Sequence, residues 1–484
     1  MVEEKSLDLV GKLSADGAVL GRFRLKAISP DDGKYGKSGD PLRPYLSAEA
    51  EWRTCAFVQK VLLETRWDFG KAEEKHVREV EAALEKIDPL NIALLEDKIR
   101  HDQLAVIEEI GRYVSLETKA LLHPGTTSYD ILDTARSFLF RNAWKEVMRP
   151  KIKEVILGLS GVAEQTMDVL QIGRTHLQNT SPVPFGVIIA GYAARLADRV
   201  EHLDYCFGRL NGKISGIVGT GAGVEMVIGE GKAIEFERAV LRKLGLESDY
   251  TATQVVQKER LADVGSGLVT LAHVIGDFAG DIRLLYSSAI GEVTSRDSAQ
   301  LLGGSSTDAA KDNPIHWENL EGKVPVIEGG MRVLYAMIQT DFQRDLRSSV
   351  QGRYQPQVMM AEEYEMSLRM EKALQQLSLN RDRLEENLLA FRRFPSEPMV
   401  TILRGEGWVH SQYGEGHYFV KKASQTVKKE RIPLLEIALR DAEFHAVYDR
   451  LPLHKKDILS GKLELYVGDS KERAKRNLEY ARSI

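Results

Sequence analysis

The sequence predicts an all-α protein with a central bundle of long helices, flanked by smaller helical domains at the N- and C-terminal ends. No proline occurs between Pro184 and Pro314, which permits long uninterrupted helices. Apolar residues recur in that stretch at alternating spacings of three and four, which is the period of a packed helix. Strand-like alternation is scarce along the chain. With 484 residues and 43% hydrophobic content, the chain can bury a large core.

The longest apolar seam lies in the second half of the proline-free stretch. Its members are Leu261, Val264, Leu268, Leu271, Ile275, Phe278, Ile282 and Leu285. Because a helix rises about 1.5 Å per residue, the seam is roughly 36 Å long. Such a seam is typical of a helix that packs lengthwise in a bundle core or at a subunit interface.

Further helices are predicted on both sides of this seam. An apolar face runs from Ile131 to Val147, the segment "IEFERAVLRKLGL" ends at Gly245, and residues 357–394 are rich in Glu, Leu, Arg and Met without a proline. The segment "FPSEPMV" is a possible boundary. We therefore predict three consecutive domains: an N-terminal helical domain (1–122), the central helix bundle (123–375) and a C-terminal helical domain (376–484).

The charge balance excludes several classes of partner. Sixty-six Lys and Arg residues face 71 Asp and Glu residues, giving a net charge of -5, which argues against a nucleic-acid polymer or a membrane surface as the partner. The N-terminal "MVEEKSLDLVGK" has no signal-peptide pattern, and the longest apolar run is too short to span a bilayer. Cys55 and Cys206 lack metal-ligand spacing and are predicted to be buried free thiols. We expect a cytoplasmic protein.

Three polar clusters interrupt the helical pattern: "HPGTTSYD" (123–130), "GRTHLQNTSPVP" (173–184) and "GGSSTDAAKDNPIHWENLEG" (303–322). Taken singly, they are typical of a capping turn at Asp130, an exposed loop and a flexible linker that ends where Pro314 begins a helix. Taken together, their hydroxyls, amides and lysine suit a ligand that bears carboxylates, and histidine can transfer a proton near neutral pH. No metal-ligand spacing, P-loop or dinucleotide fingerprint accompanies them, so we expect no cofactor.

The three clusters resemble the three signature regions of the fumarase/aspartase superfamily, in the same order and at similar spacing. Within it, the sequence is most similar to the adenylosuccinate lyases, through "AISPDDGKYG", "ATQVV" and "QRDLRSSVQGR". The matches run from about residue 27 to residue 353. The resemblance implies a fumarase/aspartase-like fold and a homotetramer whose active sites are shared between subunits. It also implies an anti elimination of fumarate from a small nucleotide substrate, either adenylosuccinate (giving AMP) or the succinyl-carboxamide ribotide of purine biosynthesis.

The resemblance also implies a role for each catalytic side chain. Ser305 would remove the proton beside a carboxylate, Lys311 and Asn313 would stabilise the resulting carbanion, and His176 would protonate the departing nitrogen. His123 would orient His176 or contact the substrate. Because a serine hydroxyl is a weak base, Ser305 would need backbone N–H groups, a helix N-terminus and nearby positive charge.

The remaining residues implied by the resemblance bind substrate. Those for the succinyl part are Thr127, Ser128, Thr175 and Gln254, and Ser306 belongs to the same substrate-binding set. Those for the nucleotide are Lys34, Tyr35, Arg344, Ser349 and Arg353, with arginine suited to a phosphate by its paired donors.

The sequence departs from the family pattern at a few positions. Asp308 and Ala309 stand where the third signature normally has Met-Pro, and Lys34 stands where an arginine is usual. Leu177 and Asn179 replace a common Gly and Pro. None of these changes removes Ser305, Lys311, Asn313 or His176, so the elimination remains the expected reaction, while the identity of the amine substrate stays open. Two alternatives therefore remain: a lyase of the same superfamily that acts on a different succinyl-amine, and a catalytically weak paralogue that serves as a binding or assembly protein.

Overall fold

The computed structural model describes residues 40–296 and 311–484, and its fold is an all-α helical bundle, as predicted. The helices up to residue 165 are α1 (Arg43–Leu46), α2 (Ala48–Asp68), α3 (Glu74–Leu84), α4 (Pro89–Ile99), α5 (Asp102–Gly111), α6 (Leu116–Ala120), α7 (Ser128–Ala143) and α8 (Arg149–Gln165). Five residues of π-helix, Trp144–Met148, join α7 to α8.

Most of the longest helices follow in the middle of the chain. They and the short helices among them are α9 (Phe185–Gly208), α10 (Ala222–Ile228), α11 (Ala233–Lys243), α12 (Glu259–Tyr286), α13 (Ile315–Ile338), α14 (Arg347–Gly352) and α15 (Gln355–Gln376). The C-terminal helices are α16 (Arg381–Arg392), α17 (Ser396–Gly405), α18 (Gly416–Glu430), α19 (Leu434–Ala438), α20 (Ala442–Arg450), α21 (Leu453–Leu459) and α22 (Ser470–Ser483). None of the described helices combines the length and apolarity that crossing a membrane requires.

The strands of the described chain are short and form two-stranded sheets. The pairs are β1 (Leu170–Thr175) with β2 (Gln178–Pro184), β3 (Asn211–Gly212) with β4 (Glu247–Ser248), β5 (Val293–Ser295) with β6 (Leu377–Leu379), and β7 (Val409–His410) with β8 (Gly414–Glu415). The pair β3–β4 is parallel and the other three are antiparallel.

The predicted apolar seam lies along α12, and its central members are buried. The buried members are Val264, Leu268, Leu271, Ile275, Phe278 and Ile282. Gly265 lets a neighbouring helix approach this face, because a Cβ atom there would lie 2.2 Å from Leu334 Cδ1 on α13. The helix predicted to end at Gly245 is α11, which ends two residues earlier at Lys243.

Two predictions from local sequence were wrong. The segment 173–184, which taken singly was predicted to be an exposed loop between helices, is most of the β1–β2 hairpin, in which His176 and Leu177 form the turn with φ angles of 53° and 59°. The segment 357–394, predicted as continuous helix, contains β6 between α15 and α16. β6 forms because Leu377–Leu379 pairs with Val293–Ser295, a distant partner that overrides local helix propensity.

The chain divides into two compact units. Unit 1 comprises the described residues up to Ile152, Arg199–His273 and Gly322–Leu368. Unit 2 comprises Lys153–Asp198, the described part of Val274–Glu321, and Arg369–Ile484. The three consecutive domains inferred from the sequence stay a prediction.

Each unit has its own apolar core. In unit 1 a cluster joins α2 to α3, α7 and α11 through buried residues such as Leu62, Val80, Ile131 and Phe236. In unit 2 a C-terminal cluster surrounds Phe444. Apolar burial of this kind stabilises the fold by roughly 25 cal/mol per Å² removed from water.

Candidate active site

The structure distributes the predicted site residues over both units. Unit 1 contains His123, Thr127, Ser128, Gln254, Arg344, Ser349 and Arg353. Unit 2 contains Thr175, His176, Lys311 and Asn313. Lys34, Tyr35, Ser305 and Ser306 lie outside the described residues.

In unit 1 the first signature forms the turn that begins α7. Thr127 is the N-cap and Asp130 the third helical residue of a capping box, so the capping role expected at Asp130 is shared with Thr127. The Thr127 backbone N–H donates to Asp130 Oδ2 at 2.7 Å. Asp130 is fully buried and also accepts hydrogen bonds from the Lys213 ammonium and the Ser215 backbone N–H. Its carboxylate therefore joins the signature turn to the loop that follows β3.

The first turn of α10 packs directly on the signature turn through two glycines, Gly125 and Gly223. Gly125 has a φ of 76°, in the left-handed region, and a Cβ atom there would lie 2.6 Å from the Gly223 carbonyl oxygen. A side chain at residue 125 would therefore meet both a strained backbone and a steric clash.

His123 is held as a neutral imidazole. The Gln59 side-chain Nε2 lies 2.9 Å from His123 Nδ1, and Gln59 is fully buried. When the Gln59 amide donates, Nδ1 is the acceptor and the ring proton resides on Nε2. Burial, together with the positive charge of Arg66, lowers the pKa of His123 to about 4. The side chain is thus suited to donate a hydrogen bond rather than to serve as a charged acid.

Arg66 is a site residue that the sequence analysis missed. Its side chain is 1% exposed and donates to the carbonyl oxygens of Leu121 and Pro124, with the second bond at 2.6 Å. Burial lowers the pKa of Arg66 to about 10. The guanidinium therefore holds the chain on both sides of His123 and places positive charge beside it. In the sequence Arg66 is an ordinary arginine near the end of a helix, so nothing local marks it.

His101 was missed as well. It is the N-cap of α5, where its Nδ1 accepts from the Leu104 backbone N–H at 3.3 Å. A positive charge on His101 lowers the pKa of His123, and the charge of Asp102 raises it. The signal available in the sequence was the adjacent His-Asp pair at a helix start.

Gln254 and Arg344 are brought together in unit 1. The Arg344 guanidinium donates to Gln254 Oε1 at 2.7 Å, and its Cζ lies 3.9 Å from the centre of the Tyr129 ring. The Gln254 backbone N–H donates to the Gln343 carbonyl at 3.3 Å. The arginine plane is thus fixed by a hydrogen bond on one side and a cation–π contact on the other.

Ser349 and Arg353 face an open cavity of about 780 Å³ that Tyr129 also borders. Arg136 lines this cavity, but Glu51 holds its guanidinium through two hydrogen bonds of 2.7 and 3.0 Å. Arg353 is exposed and forms no ion pair with another described residue. The cavity thus offers one guanidinium that no other described residue engages in an ion pair, beside a hydroxyl, which suits an anionic group.

In unit 2 the second signature lies at the tip of the β1–β2 hairpin. Thr175 and His176 are exposed there. Arg174, one residue earlier, forms two hydrogen bonds of 2.9 and 2.6 Å with the fully buried Glu292. Asn387 donates to the same carboxylate at 2.7 Å. Arg174 therefore anchors the hairpin, and His176 is presented by a short two-residue turn.

The end of the third signature lies directly before α13 in unit 2. Lys311 is exposed and Asn313 is half-buried. The Asn313 carbonyl accepts from the Ile315 backbone N–H at 2.8 Å, and the Pro314 carbonyl accepts from Glu318 at 3.0 Å. Pro314 therefore immediately precedes the helix. Lys311 and His176 share no hydrogen bond in the described part of unit 2.

Comparisons with known proteins agree with the signatures. A family model described as lyase matches residues 51–329, which is more than half of the chain. The adenylosuccinate lyase of Archaeoglobus fulgidus is 27% identical over 459 residues, covering 94% of this chain and 99% of that protein. The adenylosuccinate lyase of Aquifex aeolicus is 30% identical over 317 residues, covering 64% and 69%.

A solved structure shows the same fold. The fumarate lyase from Mesorhizobium sp. BNC1 superposes with a TM-score of 0.77 and 21% identity, over 91% of this chain and 97% of that one. At that identity the similarity concerns the fold alone. The family model and the curated relatives go further: this chain belongs to the adenylosuccinate lyases of the fumarase/aspartase superfamily and is a fumarate-forming lyase.

Proposed function

We propose that this enzyme eliminates fumarate from adenylosuccinate, giving AMP, and from the succinyl-carboxamide ribotide of purine biosynthesis. The observation that carries this proposal is the cavity of unit 1 that contains Ser349 and Arg353 and is bordered by Tyr129. A guanidinium beside a hydroxyl suits a phosphate. Glu96 and Asp102 also line this cavity, and carboxylates suit the hydroxyl groups of a ribose. The cavity therefore offers separate groups for the two polar parts of a nucleotide.

The proposed elimination balances as one proton removed and one returned. Ser305 takes the proton from the carbon beside a succinyl carboxylate, and the electron pair spreads into that carboxylate. Lys311 and Asn313 stabilise the developing charge as donors. The pair then forms the carbon–carbon double bond of fumarate while the carbon–nitrogen bond breaks, and His176 gives a proton to the departing nitrogen.

The remaining polar residues bind the substrate in this proposal. Thr127, Ser128, Thr175 and Gln254 hold the succinyl part with Ser306, and Lys34, Tyr35 and Arg344 contribute to the nucleotide end. His123 orients its partners through Nε2–H, because its lowered pKa of about 4 keeps it neutral at physiological pH. A neutral donor beside an anionic substrate does not compete with His176 for the acid role.

We also propose a homotetramer whose active sites combine residues of several subunits. The superfamily resemblance supports this assembly. So does α13, on which Val326 and Tyr335 are 53% and 56% exposed in the single chain. Apolar side chains on a long helix favour burial against another subunit.

The second candidate is elimination from a different succinyl-amine. The charged Asp308 in the third signature and Lys34 in place of the usual arginine favour it, because both change the charge presented to the substrate. The third is a catalytically weak paralogue acting in binding or assembly. The retention of Ser305 and Lys311 argues against that third candidate.

The test is fumarate release from adenylosuccinate by the purified protein, with Ser305→Ala beside it. We expect release by the wild type and a loss of at least about a thousandfold in the variant, since a proton-transfer group is removed. Ser287→Ala is the matched control, because Ser287 is exposed and its hydroxyl bonds only the Leu284 carbonyl among the described residues. If the folded wild-type oligomer releases no fumarate, the assignment of adenylosuccinate as the substrate is wrong. If Ser305→Ala keeps full activity, the assignment of Ser305 as the base is wrong.

A further inference from the structure

Tyr286, the last residue of α12, donates its phenolic O–H to Asp312 Oδ2 within unit 2. Asp312 stands between Lys311 and Asn313, the two donors assigned above to the developing carbanion. The negatively charged Asp312 is thus adjacent in sequence to Lys311, the lysine that the proposed elimination needs, and its carboxylate is hydrogen-bonded by Tyr286.

The surroundings of Tyr286 favour this bond. Its phenol is half-buried and borders a cavity that Thr294, Asn313 and Trp317 also line. Burial and the charge of Asp312 raise the pKa of Tyr286 above its ordinary value, so the phenol keeps its proton and stays a donor. A partly desolvated phenol without an acceptor would be unfavourable, which favours retention of Asp312 as its partner.

The side chain of Lys311 is exposed and makes no hydrogen bond or ion pair with another described residue. A carboxylate and an ammonium on adjacent residues attract each other, and each is also drawn to water. An Asp312 carboxylate without another partner would therefore compete with substrate for the Lys311 ammonium.

We propose that Tyr286 is a positioning residue that holds the Asp312 carboxylate away from Lys311, leaving the lysine ammonium for the substrate carboxylate. This inference rests on the role of Lys311 in the proposed function. Tyr286 acts through Asp312 and does not itself contact substrate.

Removal of the Asp312 charge is expected to rescue the loss of the Tyr286 hydroxyl. Tyr286→Phe keeps the ring and removes the O–H, so Asp312 is released toward Lys311, and we expect kcat to fall by about tenfold. Asp312→Asn removes the competing charge and stays within about threefold of wild type. The double variant Tyr286→Phe/Asp312→Asn returns to the level of Asp312→Asn. If the hydrogen bond served only to fix the start of α13, each variant and the double variant would lose activity alike, and the proposal would be wrong.

A second readout does not depend on turnover. Acylation of Lys311 by acetic anhydride, followed by peptide mass spectrometry, reports how free its amine is. We expect Tyr286→Phe to slow acylation of Lys311 severalfold relative to Lys71, an exposed lysine elsewhere in the chain, and Asp312→Asn to restore the rate in the double variant. An unchanged rate in Tyr286→Phe overturns the proposal.

The two readouts separate this inference from the proposed function. If the wild type releases no fumarate but the acylation rates change as expected, the substrate assignment fails and the Tyr286–Asp312–Lys311 relationship stands. If fumarate is released but the acylation rate of Lys311 does not change and Asp312→Asn does not rescue kcat, the proposed function stands and this inference is wrong.

Discussion

The buried amide of Gln59 lies 2.9 Å from His123 Nδ1 and joins α2 to the turn that begins α7. The contact spans 64 residues of sequence and fixes which nitrogen of the imidazole carries its proton. With Nδ1 occupied, Nε2–H is the group left to face a ligand. The helix α2 therefore determines the chemistry that His123 offers.

Replacing Gln59 by Leu tests this relationship. The variant leaves Nδ1 without a donor, so the imidazole is free to change tautomer and orientation, and we expect kcat to fall by about tenfold or more. Steady-state kinetics of fumarate release measure the effect. Gln103→Leu is the matched control, since Gln103 is equally buried in unit 1 and its amide contacts the Cys55 sulfur instead. Equal losses of kcat in both variants would contradict a specific role for Gln59.

The lowered pKa of His123 is also expected to make the stability of the folded protein sensitive to acid. Its pKa is about 4 in the folded protein and near 6.5 in an unfolded chain. Between these values the unfolded chain binds more protons, so the free energy of unfolding falls as pH falls from about 6.5 to 4. The contribution is at most about 3 kcal/mol and is reduced by the partial exposure of the ring.

Urea unfolding at pH 7 and pH 4.5 measures this effect. We expect the loss of stability between the two values to be smaller in His123→Gln than in the wild type. His417→Gln, at an exposed histidine, serves as the control and should lose as much stability as the wild type. Parallel losses in all three proteins would exclude His123 as a source of the acid sensitivity.

Arg66 is expected to influence both the pKa of His123 and the stability of unit 1. Arg66→Met removes a positive charge beside the imidazole, so the pKa of His123 should rise. It also leaves the Leu121 and Pro124 carbonyls without their donor, which costs on the order of 2 kcal/mol. An NMR titration of the His123 ring measures the first effect. Arg136→Met is the control, because Arg136 bonds Glu51 and should leave the His123 titration unchanged.

Local and periodic features of this fold were predictable from the sequence. The seam of α12 repeats over about seven turns, and the Thr127–Asp130 capping pattern lies within four residues, so each leaves a direct trace in the sequence. The segments "ATQVV" and "QRDLRSSVQGR" brought Gln254 and Arg344 into the candidate site through resemblance, and the structure joins the two side chains with a hydrogen bond that spans 90 residues.

Features that depend on distant partners were not predictable. β6 exists because Leu379 pairs with Val293, and the apolar run of α2 gives no indication that Gln59 and Arg66 face the His123 turn. The local sequence around a polar helical residue does not indicate whether its side chain faces water or a buried imidazole. Only the tertiary contact distinguishes the two cases.

Glu362 and Glu363 are neighbours on α15 in contrasting surroundings. The Glu362 carboxylate pairs with the Lys323 ammonium. Glu363 is fully buried, and neither of its oxygens has a hydrogen-bond partner among the described residues. Burial raises the pKa of Glu363 well above its ordinary value, and the charge of Lys323 opposes this only in part. Glu363 is therefore expected to keep its proton in the folded protein at pH values where the unfolded chain has lost it.

Glu363→Gln is accordingly expected to be more stable than the wild type, by a margin that grows with pH. Above about pH 4.5 the unfolded chain releases the Glu363 proton while the folded protein retains it, so wild-type stability falls as pH rises toward the folded pKa, by at most about 1.4 kcal/mol per pH unit. A glutamine of nearly the same shape has no such dependence. Urea unfolding at pH 5 and pH 8 measures the margin, and Glu362→Gln, which removes the ion pair with Lys323, should instead lower stability at both values. A margin that does not change with pH would mean that Glu363 titrates alike in the folded and unfolded states and that its burial is relieved by a partner.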